Sequence, residues 1–201
     1  MDNYIDLNNF EDIPVVPLRG LVVYPNMTLH FDVGRKKSVA ALNTAMDTHQ
    51  MIFLVSQIDS SIEDPSERDV YEVGVICKVK QMIKIPNSSN LRVIVEGIAR
   101  ASIVTMYTDG DHFNAVVDRA PIYDVEVSAE NTAYIRTVKK EYEVYASIFK
   151  KISNEVVAKI ICCEDIAELT DYICENSFFS FSDKQAMLEE FDPQERIKKL
   201  T

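Results

Sequence analysis

The sequence predicts an α+β protein in which a strand-rich part, residues 1–120, precedes a helical part, residues 121–201. Up to about residue 118, short β-rich runs alternate with turn signals of Pro, Gly, Asn and Asp, a pattern typical of sheets. After Pro121, apolar residues recur at intervals of three and four, which is typical of amphipathic helices. We therefore expect a twisted β-sheet, either a partly closed barrel or two packed sheets, with one short helix, followed by an α-helical bundle.

The first two apolar runs, 13–18 and 21–24, are interrupted by Pro14, Pro17 and Gly20. Proline cannot donate a hydrogen bond to a strand ladder and is usually confined to edges and bulges. A bent or edge segment is therefore expected here rather than a central strand.

The next two elements differ in the period of their apolar residues. Residues 28–33 alternate between polar and apolar side chains, which predicts a strand with one buried face. Residues 35–48 change to a helical period and place Val39, Leu42 and Met46 on one face. This stretch is the short helix of the strand-rich part.

Two further strands are expected beyond this helix. The apolar run 51–58 predicts a buried strand, and the polar segment 60–69 predicts an exposed loop. Residues 71–85 alternate over their whole length, so Val73 and Ile83 are expected to share one face of a long strand.

The strand-rich part ends with a return strand and a hairpin. Residues 86–90 form a turn, and a strand is expected over 91–107 with an interruption at Gly97. The Asp109–Gly110 pair favours a tight hairpin before a last strand over 112–118.

The helical part opens with a regular seam of apolar and aromatic residues. Its members are spaced three and four apart, and they are Ile135, Val138, Tyr142, Tyr145, Phe149 and Ile152. This spacing predicts a helix of about five turns. We expect the seam to pack within the chain's own bundle, and an intermolecular coiled coil is the alternative.

Shorter helices are expected after the seam. The predicted starts are Asn154, Asp165, Ser182 with Gln185 as a capping pair, and Asp192 followed by Pro193. The last helix begins with a full start signal about two turns before Thr201. This favours a chain that continues in a longer protein, and a short terminal helix docked on the bundle is the alternative.

Charge and hydropathy limit the partners of the chain. The net charge of −11 argues against a nucleic acid held by phosphate contacts, because such binding needs a basic surface. The opening segment MDNYIDLNNFED is acidic and polar, unlike a secretory signal. No apolar run approaches the ~18 residues that span a bilayer. We therefore expect a cytoplasmic protein with neither a nucleic-acid nor a membrane partner.

The glycines, histidines and cysteines of the chain do not have the spacing of known catalytic or metal-binding motifs. No glycine-rich phosphate loop is present, and the histidines are widely separated at His30, His49 and His112. The cysteines, which lack paired metal spacing, are Cys77, Cys162, Cys163 and Cys174. We expect the thiols to be buried and inert, and we expect this chain to have no catalytic activity, metal or cofactor.

Two features are candidates for binding. Tyr142 and Tyr145 give the helical seam a wide, partly polar character, and the FFSF segment places Phe178, Phe179 and Phe181 in a connection between helices. The phenylalanines are expected either to fill the core of the bundle or to leave part of their surface exposed to unfolded chains or a neighbouring subunit. These five residues are the candidate substrate or subunit contacts.

Three segments carry a resemblance to a known family. They are IPVVPLRGLVVYP followed by Asn-Met, beginning at Ile13; DVYEVGVICKVKQMIKIPNSSNLRVIVEGIARASI, residues 69–103; and DKQAMLEEFDPQERIKKL, residues 183–200. Together they resemble the amino-terminal region of the Lon proteases over nearly the whole chain. Asn26 stands where that family usually has the glycine of a Pro-Gly-Met turn. Because Asn tolerates positive φ, the turn is expected to persist.

The resemblance implies a PUA-like pseudo-barrel joined to a helical bundle, with an AAA+ ATPase and a Ser-Lys peptidase domain lying beyond this chain. It also implies a non-catalytic module that recognises unfolded or damaged proteins and aids assembly of a hexamer. Two alternatives remain at this point: a stand-alone LON-domain adaptor or ligand-binding protein, and an RNA-binding module.

Overall fold

The computed structural model describes residues 9–123, 125 and 128–201. Most of the acidic opening segment, residues 1–8, lies outside them. The chain forms two units, and the division falls between Ala120 and Pro121.

The first unit contains a six-stranded sheet and one α-helix, so the predicted α+β class is confirmed for this part. Its elements are β1 (Phe10–Leu18), β2 (Thr28–Val33), α1 (Lys36–Asp47), β3 (Met51–Ser56), β4 (Val73–Lys84), β5 (Leu91–Asp109) and β6 (His112–Arg119). A single 3-10 turn, Glu67–Asp69, lies in the loop before β4.

The sheet closes on itself. Its order is β2-β5-β4-β3-β1-β6, and an additional pairing of β5 with β6 joins the two sides, so five strands form a ring and β2 extends it beside β5. Closure removes most of the free strand edges. The β1–β3 pair is parallel, and the other pairs are antiparallel.

Of the expected bent or edge segment, the edge alternative is wrong, because β1 has a partner on each side. Residues 10–15 pair with β6, whereas residues 15–18 pair with β3. Pro14 and Pro17 therefore each lie where β1 has a paired neighbour on one side only. A proline is tolerated inside this ring because its missing N–H can face the unpaired side.

In the apolar run at 21–24, Leu21 is half-buried and the other three residues are buried, but the run does not form a strand. Its carbonyl groups find other partners, because the Ser56 hydroxyl donates to the Leu21 carbonyl oxygen at 2.8 Å. The predicted β2 strand is confirmed, with Leu29 and Val33 buried and His30 exposed.

The predicted helix α1 is confirmed, but its buried face is rotated from the expected one. The residues that are buried are Ser38, Ala41, Leu42 and Ala45, whereas Val39 and Met46 are half-buried. Small side chains let the helix lie close to β1 and β6, against which it packs.

The long alternation of β4 is broken by one register shift, between Val79 and Gln81, where Lys80 is the extra residue. The other shift in this pair passes over Ile98 of β5 and leaves the alternation of β4 intact. A β-bulge exchanges the two faces of a strand. As a consequence Ile83, expected on the face of Val73, is 45% exposed.

Gly97 does not interrupt the return strand, because β5 runs unbroken from Leu91 to Asp109. A Cβ atom at this position would collide with the Tyr24 carbonyl oxygen. The backbone of Gly97 instead exchanges hydrogen bonds with the preceding turn, accepting from the Asn26 N–H and donating to the Met27 carbonyl, both at 2.9 Å.

The turn that meets Gly97 has the conformation expected of it. Asn26 has a φ of 62°, so the prediction that Asn sustains this turn in place of glycine is confirmed. The hairpin between β5 and β6 is also confirmed, with Asp109 opposite His112.

One cluster of buried apolar residues joins five strands of this unit. Its buried apolar residues come from β1, β3, β4, β5 and β6 and from Val70, and they are Ile13, Val15, Phe53, Val55, Val70, Ile76, Ala101, Met106, Phe113, Ala115 and Val117.

The second unit is helical among its described residues. Its elements are α2 (Ala129–Ile148), α3 (Asn154–Cys162), α4 (Ile166–Asn176), α5 (Phe181–Glu189) and α6 (Pro193–Lys199). Its core is formed by Val138, Tyr142, Ile160, Ile166, Leu169, Ile173 and Ile197. The seam of α2 therefore packs within the bundle at Val138 and Tyr142, as expected, but the helix ends before Phe149.

The starts of three later helices agree with the sequence, and one does not. Ser153, Asp165 and Asp192 cap α3, α4 and α6. Helix α5 begins two residues earlier than expected, because Ser180 rather than Ser182 accepts from a backbone N–H, that of Asp183. Phe181 therefore belongs to α5 and not to the connection.

Helix α6 is held by a buried guanidinium. Arg196 is 2% exposed, and its Nη1 donates to the carbonyls of Glu190 and Phe191, both at 2.9 Å. Its Nε donates to the Thr170 hydroxyl at 3.1 Å and lies 3.6 Å from the buried Asp171 carboxylate. A buried cation is tolerated only with such a full set of partners.

None of the helices in the described part of the chain is long and apolar enough to cross a membrane.

The approach of the turn at Tyr24 to Gly97 can be tested by substitution. We expect Gly97→Ala to lower the free energy of unfolding by about 1–3 kcal/mol, because a methyl group would force two backbone segments apart. Urea denaturation followed by circular dichroism measures this change. Gly20→Asn is the control, since Gly20 has a φ of 60° and open space around its Cβ position, and we expect about 1 kcal/mol or less. Equal unfolding midpoints for Gly97→Ala and the wild type would contradict the close approach.

Candidate functional site

Aromatic side chains gather where α2 ends and the connection between α4 and α5 passes it. The ring centroids of Tyr145 and Phe149 are 4.5 Å apart, and those of Phe149 and Phe178 are 5.4 Å apart. Tyr145 also lies 5.6 Å from Tyr142 and 6.3 Å from Phe179. We refer to these five residues as the aromatic cluster. Its tilted rings lie at separations at which aromatic pairs attract.

Hydroxyl groups of α2 determine the path of the connection. The Tyr142 hydroxyl donates to the Asn176 carbonyl at 3.1 Å, and the Tyr145 hydroxyl accepts from the Phe178 N–H at 2.7 Å. The Ser177 hydroxyl donates to the Ile173 carbonyl at 2.7 Å and thereby satisfies the end of α4. Buried backbone groups need such partners when a helix stops.

Burial falls steadily across the cluster. Tyr142 is 5% exposed, Phe149 is 39% exposed and Phe178 is 54% exposed, whereas Tyr145 and Phe179 are half-buried. A cavity of about 220 Å³ lies at the inner side, lined by Tyr142, Tyr145, Phe179 and neighbours from α4 and α6.

Aliphatic residues extend the exposed side of the cluster along α2. Val144 is 57% exposed and Ile148 is 69% exposed, and residues four apart lie on the same side of a helix. We refer to Val144, Ile148, Phe149 and Phe178 as the exposed patch. Exposed apolar residues that are grouped on one part of a surface mark a binding site more often than scattered ones do.

The structure therefore divides the five candidate residues. Phe178 is exposed, Tyr145 and Phe179 support it, and Tyr142 belongs to the core of the bundle. Phe181 begins α5, and the ring contacts of the cluster join the other four candidates and Phe149.

The sequence reasoning missed Val144 and Ile148 as surface residues. The signal was available, because these two residues stand four apart on a helical face that otherwise carries charges. An apolar pair on the polar side of an amphipathic helix indicates an exposed apolar spot.

Burial raises the pKa of two ionisable groups of the helical unit. Burial raises the pKa of Tyr142 to about 12, so its hydroxyl stays protonated and keeps its hydrogen bond. Burial, followed by the charge of Glu168, raises the pKa of the Cys163 thiol, which disfavours the nucleophilic thiolate.

The cysteines are only partly as expected. Cys77 and Cys174 are buried, but Cys162 is exposed at the end of α3 and Cys163 is half-buried. The prediction of uniformly buried thiols is wrong, because the two adjacent residues cannot both face the bundle. The described residues contain no group of three or more His, Cys, Asp or Glu that could hold a metal ion.

Comparison with known proteins agrees with this picture of a closed sheet and a helical unit. The family model of the ATP-dependent protease La (LON) substrate-binding domain matches residues 12–201. The chain belongs to this family.

Its relatives are bacterial Lon proteases. Lon protease of Clostridioides difficile is 38% identical over 200 residues, which cover 98% of this chain and 25% of the relative. Lon protease 1 of Bacillus subtilis is 41% identical over 188 residues, which cover 94% of this chain and 24% of the relative. The chain thus spans about a quarter of the length of these relatives.

Solved structures show the same fold. The N-terminal domain of Mycobacterium avium complex Lon protease aligns with a TM-score of 0.75 at 21% identity, covering 94% of this chain and 96% of that domain. A Lon N-terminal domain protein from Xanthomonas campestris aligns with a TM-score of 0.66 at 14% identity.

The raised pKa of Tyr142 predicts how stability depends on pH. A tyrosine that titrates near 10 when unfolded and near 12 when folded contributes stability that is complete below pH 10 and is lost as the pH rises towards 12. We expect Tyr142→Phe to reduce the loss of stability over this range, and to cost about 1 kcal/mol at neutral pH through the lost hydrogen bond.

Urea midpoints measured between pH 8 and 11.5 test this expectation. Tyr123→Phe is the control, because Tyr123 is 42% exposed and removing its hydroxyl should leave the profile unchanged. Parallel profiles for Tyr142→Phe and the wild type would contradict the assignment.

Proposed function

We propose that this chain is the non-catalytic amino-terminal module of an ATP-dependent serine protease of the Lon type, and that it binds unfolded or damaged proteins through the exposed patch. The observation that carries the proposal is the pair of exposed rings, Phe149 and Phe178, whose centroids lie 5.4 Å apart, together with the exposed Val144 and Ile148 of α2. Membership of a substrate-binding domain family supports it.

The chemistry of the patch suits an unfolded chain. Unfolded proteins expose aromatic and branched apolar side chains that a folded protein buries. A patch of two rings and two aliphatic side chains offers these groups contact area without requiring a particular sequence. Binding is therefore weak and broad, of micromolar or poorer affinity.

The fixed position of Phe178 is further support for this proposal. Phe178 is held at its backbone by the Tyr145 hydroxyl, while more than half of its side chain remains exposed. Fixing the backbone of a contact residue lowers the entropy lost on binding.

The remaining properties follow from the family and the charge. The relatives are about four times longer than this chain, and we assign the ATPase and peptidase activities to the rest of such a protein. This chain works without a cofactor, self-associates as part of a hexamer in the full-length protein, and acts in the cytoplasm away from membranes. The net charge of −11 opposes nucleic-acid binding.

Substitution of Phe178 tests the patch. We expect Phe178→Ser to weaken the Kd for denatured casein about tenfold, because an aromatic contact residue contributes at least ~1.4 kcal/mol. Fluorescence anisotropy with labelled casein measures the Kd, and thermal unfolding should change by less than about 2 °C because this side chain is already exposed.

Two variants complete the experiment. Val104→Ser removes an apolar side chain that is 57% exposed on β5 of the other unit, so unchanged binding is expected. Phe179→Ala truncates a half-buried ring that lines the cavity, so a lower melting temperature is expected. Binding by Phe178→Ser that matches the wild type would remove the patch from substrate recognition.

Self-association through the same patch is the second candidate function, because an exposed apolar surface also suits a neighbouring subunit. Sedimentation of the wild type and Phe178→Ser over a range of concentrations separates the two. A variant that loses self-association but still binds casein would assign the patch to assembly.

A further inference from the structure

A cavity of about 500 Å³ lies in the strand-rich unit, between the end of β1 and the start of α1. We call it the β1–α1 pocket. One part of its lining is apolar and comes from Val16, Leu18, Phe31 and Val33. Its volume lies within the range of pockets that hold small molecules, and all its lining residues belong to the first unit.

Two guanidinium groups stand at the other part of the lining. Arg19 and Arg35 both line the pocket and both donate to the carbonyl oxygen of Ile62, at 3.2 and 3.5 Å. Arg35 is fixed further by the Gln57 amide oxygen at 2.6 Å and the Pro17 carbonyl at 3.4 Å. Burial, followed by the nearby charge of Arg19, lowers the pKa of Arg35. The two cations are therefore close to each other, and a neutral carbonyl lies between them.

The first turn of α1 faces the same space. Gly34, Arg35 and Ser38 line the pocket, and α1 has neither a side-chain cap nor an acidic residue in its first turn. The free N–H groups of such a turn carry a partial positive charge that favours anions.

Ser38 gives an independent indication of a ligand. It is 3% exposed and lines the pocket, and its hydroxyl makes no hydrogen bond to any residue within the described ranges. Most buried polar side chains have a partner. The hydroxyl of a pocket-lining residue that has no such partner is suited to donate to a bound anion.

Two acidic residues near the pocket, Asp32 and Asp64, already have basic partners. Asp32 lines it, but both of its carboxylate oxygens accept from Arg92, at 2.8 and 2.9 Å. Asp64 pairs with Lys37 at 2.9 Å. The charges of Asp64 and Glu63 both act on Arg35 and oppose the lowering of its pKa, so Arg19 and the helix terminus are the positive groups left to meet a ligand.

We propose that the β1–α1 pocket binds a carboxylate with an apolar body. The carboxylate oxygens accept from Arg19, Ser38 and the first N–H groups of α1, while the apolar body packs against Val16, Leu18 and Phe31. This site is separate from the exposed patch and does not depend on the proposed function. Two sources carry this chemistry: the last residue of a polypeptide that ends in an apolar side chain, and a free small carboxylic acid.

N-acetyl-leucine serves as the probe, because it joins one carboxylate to one branched apolar side chain. Titration of the full 201-residue chain, followed by ¹H–¹⁵N NMR, should give a Kd on the order of 1 mM, with the largest shifts at residues 19 and 34–38. N-acetyl-leucine amide has the same apolar body without the charge and should bind at least tenfold more weakly. Equal shifts for acid and amide would overturn the proposal.

Variants locate the site. Ser38→Ala should weaken N-acetyl-leucine binding roughly three- to tenfold, as the loss of one hydrogen bond does, without lowering the melting temperature. Arg19→Gln, at an exposed residue, should weaken it about fivefold or more. Arg68→Gln removes an exposed positive charge that does not line the pocket and should leave the Kd unchanged. Equal weakening by Arg19→Gln and Arg68→Gln would reduce the effect to general charge and overturn the site.

Two further probes distinguish the sources. The first probe is a hexapeptide that ends in leucine with a free carboxylate, and the second is 4-methylpentanoate. Tighter binding of the hexapeptide assigns the site to polypeptide ends. The reverse order assigns it to small acids, and either order supports a carboxylate site. Phe178→Ser should bind N-acetyl-leucine like the wild type, so failure at the pocket and failure at the patch are separable.

Discussion

The exposed patch exists because two tyrosine hydroxyl groups of α2, one on a buried and one on a half-buried side chain, bond to the backbone of a neighbouring segment. The residues are Tyr142 and Tyr145, the segment is the connection between α4 and α5, and these bonds hold the connection against the end of α2. The positions of Phe178 and Phe179 therefore follow from these backbone hydrogen bonds and not from the burial of their side chains. Phe179 turns towards the cavity and Phe178 remains outside. A polar requirement inside the bundle thus determines which apolar surface is shown to the solvent.

The strand-rich unit depends on a comparable constraint at the backbone. The ring of strands leaves room for the turn at Asn26 only because Gly97 has no side chain. That contact also explains why a glycine lies in the middle of a 19-residue strand, where it would otherwise weaken the sheet. The second unit has its own fixed point in Arg196, whose guanidinium links α4, α6 and the segment between α5 and α6.

Much of this architecture could be predicted from the sequence, because the elements have strong local signals. Alternation defines β2, the three-and-four spacing defines α2, and Asp192 with Pro193 defines the start of α6. The predictions of pairing and exposure were wrong where these properties depend on a segment far away in the sequence. The prolines of β1 suggest an edge strand, but β1 has a partner on each side, and the sequence does not show which strands these are. The exposure of Ile83 depends on a β-bulge that the alternating pattern does not reveal. The aromatic candidates were identified from the spacing of the seam and from the FFSF segment. Which of them are buried and which are exposed depends on the hydrogen bonds from Tyr142 and Tyr145 to the connection after α4. The pocket beside α1 was not foreseen. Most of its lining lies within residues 16–38, but the pattern of that segment does not reveal that β1, β2 and the start of α1 enclose a space.

The two-sided pairing of β1 also bears on how the chain folds. Its first residues pair with β6, about a hundred positions later, while Val15 to Leu18 pair with β3. The ring therefore cannot close until residues near 118 are available, and contacts between such distant segments form slowly. During translation, β1 therefore stays without its β6 partner until most of the unit has been synthesised. The Pro14 and Pro17 that suit its place in the finished ring also disfavour pairing of this strand with other chains.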